Sequence, residues 1–137
     1  MGLKLLANDS DDLRVVSAAI QDAILRVGDV SYDADRRAVT LSLSRFRHED
    51  KRPTRIRSGL RVDGVMGFQS LALERDNPDA YAVLLSAAFE ETDAPAGQLI
   101  LTLAGGGMLR MEVEGLDVTL ADAGEAKRSK GRPKHDR

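Results

Sequence analysis

The chain has 137 residues, of which 42% are hydrophobic and 31% charged, with a formal net charge of −2, no cysteine and no tryptophan. That length is enough for one domain with a substantial core, and the lack of cysteine rules out disulfides, thiolate metal sites and a cysteine nucleophile. No apolar run approaches the ~18 residues a membrane-spanning helix needs, and the acidic start lacks the apolar stretch of a secretory signal, so a cytoplasmic protein without membrane association is expected.

Asn8-Asp9-Ser10 offers N-cap residues, and Asp11 and Asp12 suit the positive end of a helix dipole. Leu13, Val16 and Ile20 recur at helical spacing, which predicts a helix over residues 10–21. The period then changes to two. "AILRVGDVSY" (23–32) and "AVTLSLSRF" (38–46) flank a polar turn and predict a hairpin, with Val39, Leu41 and Leu43 on the dry face. "RIRSGLRV" (55–62) and "VMGFQSLAL" (65–73) meet at Asp63-Gly64, a pair suited to a two-residue hairpin turn. Gly59 and Gly67 inside these strands suggest bulges or a close backbone approach.

"YAVLLSAAF" (81–89) is strand-like, although a short buried helix would give much the same run. "QLILTLA" (98–104) and "MLRMEVE" (108–114) form a hairpin around Gly105-Gly106-Gly107, and "LDVTLAD" (116–122) alternates again. The expected fold is mainly β (α+β): an antiparallel β-barrel or sandwich of about eight short strands with one N-terminal helix covering an end or an open edge. Residues 1–123 form the single domain, and 124–137, nearly free of apolar residues, form a basic tail expected to be disordered.

Charge is segregated along the chain. Residues 45–61 contain seven Lys/Arg against Glu49 and Asp50, and residues 127–137 contain six against one Asp. Each segment is net +5, which leaves −12 on the rest. On "RIRSGLRV" the arginines Arg55, Arg57 and Arg61 share one parity while Ile56, Leu60 and Val62 take the other, so three arginines should line the wet face of one strand. Such a face could hold phosphates or an acidic protein surface. The plainer expectation is that acidic side chains on neighbouring strands pair with them.

In the tail, Lys130, Gly131, Arg132 and Pro133 resemble the centre of an AT-hook, whose extended Gly-Arg-Pro backbone lies in the narrow minor groove of A·T-rich DNA. Lysine at 130 replaces the planar fork of the motif's first arginine, and a solubilising tail is the simpler reading.

Catalytic signals are sparse. Gly105-Gly106-Gly107 precedes a strand, where a phosphate loop would need a helix N-terminus. His48 sits in a charged loop and His135 in the tail, too few histidines for a catalytic zinc site. Glu112 and Glu114 share a strand face roughly 6–7 Å apart. No nucleotide or hydrolase motif occurs, and five Phe and Tyr residues are too few for a base-stacking platform.

"QDAILRVGDVSY", "RSGLRVDGV" and "LTLAGGGMLRMEVE" resemble a family of small alphaproteobacterial proteins known only as a domain of unknown function. The resemblance spans residues 3–124, leaves out the hook-like tail, and implies a bacterial cytoplasmic setting without any activity or site residue. The chain therefore reads as a non-enzymatic binding or assembly module, without cofactor or metal. It would act on a protein partner or a second copy of itself through an exposed strand edge or the Arg55/Arg57/Arg61 face. The alternatives are a nucleic-acid-binding accessory protein using those arginines and the tail, or an enzyme with a pocket around His48 or Glu112.

Overall fold

Asp9 starts the helix as its sequence position predicts: in the computed structural model, which describes residues 2–73 and 77–128, its carboxylate accepts the Asp12 N–H at 2.8 Å. Helix α1 (Ser10–Ile20) then buries Leu13, Val16 and Ile20. Before it lies a strand the sequence reading missed, β1 (Lys4–Ala7), four residues too short to show an alternation. The predicted hairpin forms from β2 (Ile24–Asp33) and β3 (Ala38–Phe46), with a register irregularity between Leu25 and Val30. There follow β4 (Thr54–Val62), β5 (Val65–Leu71), β6 (Tyr81–Glu91), β7 (Gly97–Leu103), β8 (Met108–Val113) and β9 (Val118–Arg128). Residues 81–89 are thus strand rather than buried helix.

All nine strands belong to one antiparallel sheet in the order β1-β9-β4-β3-β2-β6-β7-β8-β5. The sheet is open, with β1 and β5 at its edges, so of the expected barrel or sandwich the closed barrel is not confirmed. Its two halves join through only three residue pairs, Ile24↔Val83 to Arg26↔Tyr81. Both halves face one core, in which Leu41, Leu43, Leu60 and Val62 meet Leu99, Leu101, Leu109 and Met111. Helix α1 covers β6 beyond that junction, where Ser17 Oγ accepts the Ala87 N–H at 2.9 Å. No helix among the described residues is long and apolar enough to cross a membrane.

Two local readings are corrected. Asp63-Gly64 does not close a hairpin: β4 pairs with β3 and β9, and β5 with β8. Only Gly64 has positive φ, at 70°, whereas a type I′ turn needs it at both central positions. The dipeptide instead carries the chain between the halves, braced by Asp63 N–H to Asp117 O and by Glu114 N–H to Gly64 O. Gly67 does mark a register shift in β5, but Gly59 pairs regularly with both neighbours, and nothing lies within 4 Å of a Cβ built there. The glycine hairpin holds as predicted, with Gly105 and Gly106 at φ 87° and 97° between β7 and β8. Strand β9 also continues through residues 124–128, which the sequence reading placed in the tail.

Candidate functional site

The two-residue period of β4 puts its side chains where the sequence places them. Ile56, Ser58, Leu60 and Val62 are buried, while Arg57 and Arg61 are exposed on the outer face and Arg55 is half-buried. Register then shows what surrounds the arginines. Across β3, β4 and β9 one row reads Ser44–Arg57–Ala123 and another Thr40–Arg61–Thr119. Between them lies the row Ser42–Gly59–Ala121, which continues to Lys4 on β1, and Leu6 of β1 extends the row of Thr119. None of these outer positions carries a carboxylate.

Arg61 Nε lies 2.9 Å from Asp63 Oδ1, an acid on its own chain segment rather than on a neighbouring strand as expected. Arg57 donates to the Ser42 hydroxyl at 3.0 Å. Arg55 donates to the backbone carbonyls of Ser44 (2.8 Å) and Asp22 (3.4 Å), and its guanidinium stands 5.8 Å from the Phe46 ring centroid. Arg55 is therefore partly a structural clamp on β3. Arg57 and Arg61 keep their charge at the surface, because a hydroxyl carries no opposing charge and an exposed ion pair screens only weakly.

The basic segment contains a second arrangement that sequence reasoning missed. Arg45, one of the seven Lys/Arg of residues 45–61, is fully buried. It follows Leu41 and Leu43 on the inner face of β3, and Asp122 follows Val118 and Leu120 in β9. The guanidinium binds Asp122 through Nε–Oδ1 (3.0 Å) and Nη2–Oδ2 (2.8 Å), and Glu49 through Nη1–Oε1 (3.0 Å) and Nη2–Oε2 (2.8 Å). Asp122 also accepts the Ser58 hydroxyl at 2.6 Å and the Leu3 N–H at 2.9 Å.

Burial by itself would lower the pKa of Arg45, but the hydrogen bonds to Glu49 and Asp122 outweigh it and hold the pKa above the usual guanidinium value. The Arg45 hydrogen bond pulls Glu49 down to about 2. Burial opposes ionisation of Asp122, yet the bonds from Arg45, Ser58 and Leu3 leave it below the ordinary carboxylate value. With its donors engaged, the cluster ties β3, β9, the start of β1 and the 47–53 loop together. Arg47 stands 3.6 Å from Glu49 and 3.7 Å from Asp50. The segment's two carboxylates are thus engaged by Arg45 and Arg47.

The remaining candidates do not converge. His48 Nε2 lies 2.8 Å from the Gln21 carbonyl oxygen, and its ring packs edge-on against Phe46. Glu112 and Glu114 line a cleft of about 520 Å³ with Met66, Gln98 and Thr92, while Glu114 also pairs with Arg37. No group of three or more His, Asp or Glu side chains among the described residues could hold a metal. Lys130, Gly131, Arg132 and Pro133 lie outside the described residues. The register of β9 does bring the two basic segments together, however, by pairing Lys127 with Arg55 and Arg128 with Thr54.

Comparison with curated proteins and with solved structures gives no match. A family described as "Protein of unknown function (DUF2948)" matches residues 3–135, past residue 124 where the resemblance noted above ends, and so takes in positions 130–133. Since that match covers nearly the whole sequence, the chain belongs to this family.

Proposed function

We propose that the chain is a non-enzymatic binding module whose working surface is the outer face of β1, β9, β4 and β3, directed at an anionic partner. One observation carries this reading: Arg57, Arg61 and Lys4 stand among Ser, Thr, Ala and Gly positions, with no carboxylate at the outer positions of those rows. On a chain whose remaining residues are strongly acidic, a local cationic face steers anions to one place. Retention on a heparin column tests it. The full chain should elute at higher salt than its Arg57→Glu variant, and equal elution would count against the face.

A second reading, assembly through the β5 edge, is favoured by the composition of that strand. "VMGFQSL" has neither charge nor proline, the usual guards of an edge strand, and Met66 and Leu71 are 54% and 43% exposed. Light scattering over a concentration series should then show a species larger than the monomer that Gln69→Lys disrupts. A monomer at every concentration would remove this reading.

A further inference from the structure

We propose that the cationic face holds the sugar–phosphate backbone of nucleic acid without reading its sequence; this rests on the reading of that face as a binding surface for an anion. The first support is spacing. Alternate residues of a strand lie about 6–7 Å apart, on the order of the step between successive phosphates of an extended nucleic acid strand. Arg61 lies two such steps beyond Arg57, with Gly59 between them.

The second support is access. The lanes beside this arginine row hold Ser42, Ser44 and Thr40 on β3 and Thr119, Ala121 and Ala123 on β9. The floor at Gly59 is bare, with nothing within 4 Å of a Cβ built there. A chain of phosphates can therefore come close to the sheet, taking charge from the arginines and hydrogen bonds from the hydroxyls.

The lack of an apolar anchor separates nucleic acid from the other anions. A protein interface is centred on buried aromatic or aliphatic side chains, and a membrane-surface site inserts them. Here Leu6, 59% exposed at the margin, is the one large exposed apolar side chain in these rows, and Phe46 is 2% exposed. With no exposed aromatic ring in these rows there is no platform on this face for a base to stack on, so contact is confined to the backbone and is blind to sequence. The pairing of Lys127 and Arg128 with Arg55 and Thr54 starts the second basic segment at the same end of the row.

The test titrates the full chain with labelled single-stranded RNA, labelled duplex DNA of mixed sequence and phosphatidylserine vesicles, at several salt concentrations. Arg57→Glu and Gly59→Glu should each weaken nucleic-acid binding at least tenfold, and Arg57→Glu should flatten the slope of log K against log salt by about 0.7–0.9. Arg14→Glu makes the same charge change as Arg57→Glu on the exposed helix surface and should leave binding within about twofold.

Three outcomes overturn the proposal: no nucleic-acid binding at low salt, equal weakening by Arg14→Glu, or binding to vesicles alone. Heparin retention that depends on Arg57, together with no nucleic-acid binding, would sink this inference and leave the cationic-face reading standing. Loss of both would sink both.

Discussion

Arg45 and Asp122, 77 positions apart in sequence, meet inside the sheet through two hydrogen bonds of 3.0 and 2.8 Å, with side-chain exposures of 0% and 2%. The pair lies one layer beneath the outer arginines. Asp122 is in register with Ser58, the residue after Arg57, so the arrangement that fixes β9 against β4 also fixes the floor of the cationic face.

Breaking this pair from one side should be costly. Asp122→Asn leaves a buried guanidinium partly uncompensated, and the expected loss is about 3–5 kcal/mol. Replacing both partners, Arg45→Met with Asp122→Leu, should lose less than the sum of the single changes, with a coupling of at least about 1 kcal/mol. Urea unfolding of the four proteins measures it, and strict additivity would show that the two side chains act independently.

Acid should weaken the fold in a defined window. Glu49 falls from an ordinary 4.5 to about 2 in the folded chain, and Asp122 is also lowered. The unfolded chain therefore takes up protons first as pH drops. The stability these groups contribute is present above pH 4.5 and is lost as pH falls toward 2. Urea midpoints across that range should decline, and Glu49→Gln should make the decline shallower. An unchanged acid profile in that variant would contradict the assignment.

Two glycines should respond to alanine in opposite directions. A Cβ at Gly97 would collide with the Glu90 carbonyl oxygen and the Phe89 ring, and the expected cost is about 1–3 kcal/mol. A Cβ at Gly59 meets nothing, and relief of glycine's conformational entropy should stabilise the strand by about 0.5–1 kcal/mol. Thermal unfolding of Gly97→Ala and Gly59→Ala checks the contrast. Destabilisation by Gly59→Ala would show that the outer face is more crowded than its geometry implies.

Wherever the local pattern was strict, the sequence told the structure. Leu13, Val16 and Ile20 marked the buried stripe of α1, and the alternation around Arg55, Arg57 and Arg61 gave the orientation of β4. What was hidden depends on partners far along the chain. Asp63-Gly64 has the chemistry of a tight turn, but β4 finds β9 and β5 finds β8, and a four-residue window contains neither. Arg45 is buried, against the usual place of arginine at the surface. Its parity with Leu41 and Leu43, like that of Asp122 with Val118 and Leu120, was the available signal. The neighbours of the arginines were also out of reach, because only register shows that Ser, Thr and Ala rather than acids flank Arg57.

The most direct test of the cationic face is amide chemical-shift mapping of the full chain with a short heparin-derived oligosaccharide as the polyanion. The account predicts that the largest shifts fall on residues 40–44, 55–61 and 119–123 and on Lys4, whose outer positions share one face. Shifts confined to the C-terminal basic segment, or centred on β5 and β8, would contradict it.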